Sequence, residues 1–345
     1  MIRRLFIGLA LSACSLLLTL GVLEIAVRQG AFASPQPRST KVDVKARSSM
    51  SGPNFRRPEP RLPPTSGAFR ILVVGDSFAW GDGVHLEDTF AHRLETRLDV
   101  VSRGRDFEVV NWSRPGWNTV VEYRSVEANI DAISPDLLLL AFVLNDPEPF
   151  NPQKVAKLRK GLRRREPRDR LSVYLQQHSQ LYALVWERIE NTRIRRAYTA
   201  YYLSLFDGPD WNNCLRSLEK FRDLTHGRSI PMVLLVFPIF DSPMDNSYSY
   251  GALHDKMRKT GESLGIPVLD LLEAYRGVNV YRLAVVPYTD AHPNELGHRI
   301  AADTILDYLV RGRLIPRVNY KPLRQRALWQ GSQGKKKPEG PDGGP

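Results

Sequence analysis

Short apolar runs alternate with helical patterns through the middle of this 345-residue chain. The first run, Arg70 to Val74, stops at Gly75, as a buried parallel strand does where it ends in a turn. Four similar runs follow, and an amphipathic pattern lies between each run and the next. We predict strands at 70–74, 107–111, 136–142, 232–237 and 267–271, and helices at 87–98, 120–133, 211–225, 251–264 and 294–310.

Apolar strands that alternate with amphipathic helices indicate an α/β sheet covered on both faces. Residues 67–312 are therefore predicted to form one domain, a three-layer, flavodoxin-like sandwich with about five parallel strands. Residues 147–210 are too long for an ordinary connection, and they combine a basic stretch with a helical pattern. We expect this segment to be an inserted helical cap.

The amino-terminal segment, residues 1–33, is predicted to be a single-pass membrane anchor. After Arg3 and Arg4, the 19 residues from Leu5 to Leu23 carry no charge, which is long enough to cross a bilayer. Two alternatives remain open at this stage. Residues 31–33 (Ala-Phe-Ala) resemble a cleavage site for a secretory signal, and residues 11–14 (Leu-Ser-Ala-Cys) resemble a lipobox.

The charges that flank this anchor oppose a catalytic domain outside the cell, because basic residues are more numerous after it than before it. Long domains nevertheless translocate largely regardless of such charges. We therefore expect a periplasmic or otherwise extracytoplasmic domain.

The net charge of +12 is concentrated in two segments. Residues 154–170 hold nine Lys or Arg and two acids, and residues 311–337 hold nine Lys or Arg and no acid. Such segments fit contact with anionic lipid or an anionic polymer, and a solvated surface is the alternative. No nucleic-acid-binding module is recognisable, so no nucleic acid partner is expected.

Two further segments have the composition of unstructured chain. Residues 34–66 are rich in Pro, Ser and Arg and are predicted to be a linker. Residues 313–345 form a basic tail, and beyond Gly331 it has almost nothing apolar to bury, so we expect disorder there.

The candidate nucleophile is Ser77, which lies just past the first predicted strand, where an open parallel sheet binds ligands. A serine nucleophile needs a base and a third group that orients the base. Asp290 and His292 lie two residues apart, and Pro293 favours an extended His292, so both side chains share one face. We predict a Ser77, His292 and Asp290 triad; Asp290 as a helix-entry cap is the alternative.

Donors for an acyl oxyanion are expected at the ends of three strands. The candidates are the backbone N–H of Ser77, the backbone N–H of Gly116 after the second strand and the amide of Asn145 after the third. Trp80 and Trp117 lie close to these elements in sequence, and their faces are candidate sugar-stacking surfaces. Packing at the rim of the cleft is the alternative role for both.

The order of these blocks resembles that of the GDSL/SGNH hydrolase superfamily, which contributes serine, glycine, asparagine and histidine in sequence. The matching residues are Ser77, Gly116, Asn145 and His292, and the resemblance covers roughly residues 70–310. Phe78 and Val143 depart from the usual pattern. The resemblance implies an esterase that needs no metal and no cofactor. The chain's only cysteines, Cys14 and Cys214, also exclude a paired-cysteine metal site.

Two further stretches resemble membrane-anchored SGNH proteins associated with bacterial envelope polysaccharides. They are residues 81–84 (Gly-Asp-Gly-Val) and residues 178–182 (His-Ser-Gln-Leu-Tyr). The first hypothesis is therefore that the protein hydrolyses O-acyl esters. The substrate that we expect first is an O-acetyl group on an envelope or exopolysaccharide glycan. The alternatives are a polysaccharide O-acyltransferase that uses the same residues, and a non-catalytic glycan-binding or envelope assembly protein.

Overall fold

The computed structural model describes residues 2–32, 67–102, 104, 106–162, 165–286 and 290–320. The predicted linker at 34–66 and the predicted disorder beyond Gly331 lie outside these residues. The chain divides into two compact units. Unit 1 comprises Met1–Val42 and Asn151–Tyr202, and unit 2 comprises Asp43–Phe150 and Leu203–Pro345.

Unit 1 is helical in its described residues. Helix α1 contains a stretch, Phe6–Arg28, with a mean hydropathy of 2.3, long and apolar enough to cross a membrane, as an anchor or a signal sequence would be. The predicted insertion is also helical, and residues 151–202 belong to the same unit as α1. Its role as a cap stays a prediction. The helices are α1 (Ile2–Arg28), α5 (Pro152–Leu158), α6 (Arg170–His178) and α7 (Gln180–Leu205), with a 3₁₀ turn at Arg159–Leu162.

Unit 2 is built on a five-stranded parallel sheet, as predicted. Its order, β2-β1-β3-β4-β5, is the flavodoxin-like one. The strands are β1 (Phe69–Gly75), β2 (Phe107–Ser113), β3 (Leu137–Val143), β4 (Met232–Phe237) and β5 (Val268–Asp270). Strands β3 and β4 are buried at every residue, which requires cover on both faces of the sheet.

Two pairs of helices in unit 2 pack against each other: Phe90–Val101 with Glu295–Arg311, and Thr119–Ile133 with Pro209–His226. The helices are α2 (Ser77–Trp80), α3 (Phe90–Val101), α4 (Thr119–Ile133), α8 (Pro209–His226), α9 (Gly251–Leu264), α10 (Leu272–Tyr275) and α11 (Glu295–Arg311). The sequence pattern missed α2 and α10, which are single turns. The predicted start of α3, residue 87, is also too early, because Leu86–Asp88 is a separate 3₁₀ turn and Thr89 caps the helix.

A small second sheet lies near the carboxyl end of the described chain, and the sequence pattern did not predict it. Strand β6 (Ala284–Val286) pairs with strand β7 (Asp290–Pro293) in antiparallel fashion. Each strand has three or four residues, too few for the alternation of apolar and polar side chains to be read as a strand signal.

The strand register brings three loops to one edge of the main sheet. Gly75, the last residue of β1, pairs with Ser113 of β2 and with Ala141 of β3. The three strands are parallel, so the residues after them emerge side by side. β1 and β2 end level with each other, and β3 continues two residues further, to Val143. The predicted nucleophile and the candidate oxyanion donors follow these three strand ends.

Beside that edge, unit 2 buries carboxyl groups that have no ion-pair partner among the described residues. Glu122, in the first turn of α4, is fully buried, and neither carboxylate oxygen has a hydrogen-bond partner among the described residues. Burial, then the charge of Asp76, raises the pKa of Glu122 well above its usual value. Burial and the charges of Glu122 and Asp76 do the same to the pKa of Asp146. The protonated forms of these groups are favoured, because an ionised carboxylate is costly without water or a partner.

Substitution Glu122→Gln tests this burial through the pH dependence of stability. A carboxyl whose folded-state pKa is raised binds more protons in the folded state, so its contribution to stability falls as pH rises above the unfolded pKa. We expect the free energy of unfolding of Glu122→Gln minus that of wild type to increase by on the order of 1 kcal/mol from about pH 5 to about pH 8. Denaturant titrations measure it. A difference that is flat with pH would mean that Glu122 titrates normally; exposed Glu87→Gln is the control.

Candidate active site

Ser77 stands at a tight turn from β1 into α2. The turn is possible because Gly75 has no side chain: a Cβ there would lie 2.8 Å from Cβ of Ala79 and 3.0 Å from the carbonyl oxygen of Ala141. Asp76 then caps the short helix by accepting a hydrogen bond of 2.9 Å from the N–H of Phe78. The turn therefore holds Ser77 at the start of α2, where it is 9 % exposed.

The structure brings Ser77, His292 and Asp290 together, although the serine is 215 residues from the histidine in sequence. Nε2 of His292 lies 2.8 Å from Oγ of Ser77. Nδ1 of the same ring lies 2.6 Å from Oδ1 of Asp290. This is the serine, base and orienting-group geometry that the sequence predicted. Asp290 bonds the imidazole, whereas Asn294 caps α11, so the helix-cap alternative for Asp290 is wrong.

Strand β7 fixes the position of the histidine. Oδ1 of Asp290 also accepts the backbone N–H of His292 at 3.1 Å, which holds the carboxylate over the strand. The ring of Phe78 lies 5.1 Å from the imidazole, centroid to centroid. Asn294 follows, and its side chain accepts from the N–H groups of Leu296 and Gly297 at the start of α11. The histidine is therefore held by its own strand, by a helix start and by an aromatic neighbour.

Opposing effects act on the imidazole of His292. Burial disfavours its charged form, but the hydrogen bond and charge of Asp290, with the charges of Asp76 and Asp82, outweigh burial. The net result is that the pKa of His292 is raised from its usual value. A raised pKa makes the ring a stronger base for the hydroxyl proton of Ser77, and requires a pH high enough for the neutral form.

Asp76 connects the serine turn to the third strand. Its Oδ2 lies 3.5 Å from Oγ of Ser77 and accepts a hydrogen bond of 3.1 Å from the amide of Asn145. Burial raises the pKa of Asp76, whereas the bonds from Phe78 and Asn145 and the charge of His292 oppose that shift. The sequence did not predict this role of Asp76, because an acidic residue beside a serine has no pattern that separates it from an ordinary turn residue.

Asn145 lies at the site despite the unusual Val143. The backbone N–H of Val143 donates to Oδ2 of Asp146 at 3.2 Å, which closes the turn after β3. Only one of the two amide hydrogens of Asn145 is needed for the bond to Asp76. The other hydrogen has no hydrogen-bond partner among the described residues, and its contact with an oxyanion stays a prediction.

Gly116 lies in the turn after β2, at φ +78°, and is exposed. A side chain there would meet no atom within 4 Å, so close packing does not require a glycine at this position. The left-handed backbone conformation is what favours glycine here. Its N–H is at the same sheet edge as Ser77, as the strand register requires. Its predicted contact with an oxyanion stays a prediction.

The two tryptophans differ in exposure. Trp80 is the last residue of α2 and is only 5 % exposed, so little of its ring is open to a sugar, and its stacking role stays a prediction. Trp117 is half-buried, and its rim position leaves part of the ring accessible to a ligand.

This arrangement is suited to nucleophilic attack on an acyl group. It holds a hydroxyl against an imidazole that a carboxylate orients, and it places an amide donor beside them. These are the elements that acyl transfer requires: a nucleophile, a base and donors for the oxyanion.

Comparisons with solved structures find similar folds at low sequence identity. Over 71 % of this chain and 99 % of the other, the structure of TesA is 15 % identical, with a TM-score of 0.43. An acetylxylan esterase from Geobacillus stearothermophilus is 14 % identical over 69 % of this chain and 92 % of its own, with a TM-score of 0.40. The psychrotrophic esterase EstA from Pseudoalteromonas sp. is 13 % identical over 71 % of this chain and 98 % of its own, with a TM-score of 0.43.

No protein of curated function matches the chain in sequence. The sequence pattern of the GDSL-like lipase/acylhydrolase family, in contrast, matches residues 73–300, about two thirds of the chain. That range begins within β1, ends within α11 and includes every residue of the serine, histidine and carboxylate arrangement. The protein thus belongs to the GDSL-like lipase/acylhydrolase family, and it is a carboxylic ester hydrolase.

Proposed function

We propose that this protein hydrolyses O-acyl esters of glycans by a Ser-His-Asp mechanism, with Ser77 as nucleophile, His292 as base and Asp290 as orienting group. The observation that carries the proposal is the unbroken pair of contacts, 2.8 Å from Ser77 to His292 and 2.6 Å from His292 to Asp290. In the first step Nε2 of His292 takes the hydroxyl proton while Oγ of Ser77 attacks the acyl carbon. The proton then passes to the alcohol oxygen as its bond to the acyl carbon breaks.

The second step returns the enzyme to its starting state. Water attacks the acyl group on Ser77, and His292 takes a proton from that water. The carboxylic acid leaves, and the proton passes back to Oγ of Ser77. Asp290 stays ionised throughout and stabilises the imidazolium that forms in each step.

Three donors are proposed for the oxyanion: the N–H groups of Ser77 and Gly116 and the amide of Asn145. Support comes from the shared sheet edge that the loops after β1, β2 and β3 leave, and from the 3.1 Å bond that orients Asn145 on Asp76. One such donor contributes about 3 kcal/mol to the stability of the transition state.

The proposed substrate is an O-acetyl group on a cell-envelope or exopolysaccharide glycan. Its support is the resemblance of residues 81–84 and 178–182 to SGNH proteins of that kind. The half-buried ring of Trp117 is the proposed contact for a sugar. Helix α1 is proposed as a retained single-pass anchor, with unit 2 on the extracytoplasmic side, because Phe6–Arg28 has the length and composition of a span.

Loss of either Ser77 or His292 should abolish covalent labelling by a fluorophosphonate probe. The probe reacts only with a serine hydroxyl that a base activates, so Ser77→Ala and His292→Ala should both stay unlabelled. Ester hydrolysis should fall by at least roughly 10⁴-fold in each. Exposed His85→Ala is the matched control and should label as wild type does. Labelling that survives in Ser77→Ala would place the nucleophile elsewhere.

Substitution Asp290→Asn should move the acidic limb of the pH profile. The carboxylate raises the pKa of His292, so its removal lowers that pKa, and the neutral base persists to lower pH. We expect the acidic limb of kcat/KM to shift to lower pH while kcat at neutral pH falls by roughly 10² to 10⁴-fold. Exposed Asp106→Asn controls for loss of a negative charge. An unshifted acidic limb would mean that Asp290 does not raise the pKa of the catalytic base.

Substitution Asn145→Ala tests the proposed oxyanion donor. A donor that acts in the transition state changes kcat rather than KM, and its removal should lower kcat by roughly 10² to 10³-fold with KM nearly unchanged. Steady-state kinetics with a soluble acetyl ester measure both values, and exposed Asn246→Ala is the control. A rise in KM at constant kcat would assign Asn145 to substrate binding instead.

A further inference from the structure

The end of helix α1 is bonded to the start of helix α7 by one carboxylate. Glu24 accepts hydrogen bonds from Oγ of Ser179 at 2.8 Å, from the N–H of Gln180 at 3.0 Å and from the N–H of Leu181 at 2.9 Å. The first N–H groups of a helix have no partner within it, and a negative charge there is stabilised by the helix dipole. Glu24 thus caps a helix more than 150 residues away in sequence.

Arg28, one turn further along α1, completes the connection. Its Nε donates to Glu24 at 2.7 Å, and its Nη2 donates to the carbonyl oxygen of His178 at 2.8 Å. His178 ends α6, so this guanidinium binds one of the carbonyl groups that a helix end leaves without a partner. We call this pair, Glu24 and Arg28, the clasp: it binds both helix ends at the α6–α7 junction.

The clasp lies where the uncovered part of α1 ends. Every residue from Phe6 to Val22 is exposed, whereas Leu23, Glu24 and Val27 are half-buried. The 17 exposed residues span about 26 Å at 1.5 Å per residue, close to the thickness of a bilayer's hydrocarbon core. With α1 in a membrane, the α6–α7 junction is therefore held at the level of the lipid headgroups.

Helix α6 exposes the side chains that suit this level. Leu171 is 66 % exposed and Tyr174 is 56 % exposed, and their three-residue spacing puts them on one side of the helix. Arg170, four residues before Tyr174, is exposed on the same side as that tyrosine. A tyrosine and a leucine beside an arginine are typical of helices that lie in the membrane interface.

The charge of the same unit is strongly positive. Residues 151–202 contain 13 Lys or Arg and four Asp or Glu, a net charge of +9. Arg165, Arg168 and Arg170, immediately before and at the start of α6, are all exposed. Basic residues near an anionic membrane surface favour binding to that surface.

We propose that α6 and the exposed arginines before it form a docking surface for an anionic lipid bilayer, held at the bilayer by the Glu24–Arg28 clasp. The proposal rests on retention of α1 as an anchor and is independent of the chemistry at Ser77. It also gives α1 a structural role: cleavage after Ala33 would remove Glu24 and leave the first N–H groups of α7 without this acceptor.

The lipid contact is measured on the full-length chain in nanodiscs that hold one copy. A Cys14→Ser background leaves only the buried Cys214, and an environment-sensitive fluorophore is attached at Leu171→Cys. A control protein carries the same fluorophore at Glu187→Cys, an exposed acidic position of the same unit. In discs of equal parts phosphatidylcholine and phosphatidylglycerol that contain nitroxide-labelled lipid, the fluorophore at position 171 should be quenched about twofold or more above the one at position 187. In phosphatidylcholine alone the excess should shrink.

Equal quenching at positions 171 and 187 in the mixed discs would overturn the docking surface. An excess that does not depend on phosphatidylglycerol would overturn its preference for anionic lipid. Neither result depends on ester hydrolysis, so failure here is distinct from failure of the proposed triad.

The clasp is tested by hydrogen exchange on the same discs. Glu24→Ala should make the N–H groups of Gln180 and Leu181 exchange about tenfold faster, because they lose their acceptor, and should lower the quenching at position 171. Glu187→Ala removes an acid from the same unit and should change neither. Unchanged exchange in Glu24→Ala, or an intact mass that lacks residues 1–33, would overturn the clasp.

Discussion

The position of the whole site depends on how closely β1, α2 and β3 approach one another around Gly75. No side chain fits there, since a Cβ would lie within 3.0 Å or less of both Ala79 and Ala141. The chain can therefore leave the sheet and enter a helix within two residues. That turn places Asp76 inside the protein and Ser77 at the edge, and the parallel register aligns the loops after β2 and β3 with it.

Asp76 shows how one buried carboxyl serves several neighbours. It caps α2, orients the amide of Asn145 and contributes to the field at His292. The charge of Asp76 also raises the pKa of Glu122 and Asp146. Burying these acids costs free energy of folding and leaves polar groups behind the serine. Shifted pKa values of this kind are frequent at functional sites.

Much of the sheet and the triad could be predicted from sequence, for physical reasons that the structure makes plain. A fully buried strand must be apolar throughout, so β4 was predicted with its observed bounds, and a spacing of two in extended chain puts Asp290 and His292 on one face. The orientation of a side chain within a short helix cannot be inferred in this way, and Trp80 points inward. Contacts between segments far apart in sequence, such as Glu24 with Ser179, leave no periodic signal.

The hairpin of β6 and β7 has a consequence for how the protein loses its function. His292, which contacts Ser77, and Asp290, which contacts His292, both belong to a two-stranded sheet, and such sheets have little stability of their own. Asn294 connects the hairpin to α11. Its amide donates to the carbonyl oxygens of Arg282 and Ala284, and its side-chain oxygen accepts from the first N–H groups of the helix. Local opening of this corner would separate His292 from Ser77 while the five-stranded sheet stays intact. Heating is then expected to break the contact between these two side chains before the main sheet unfolds.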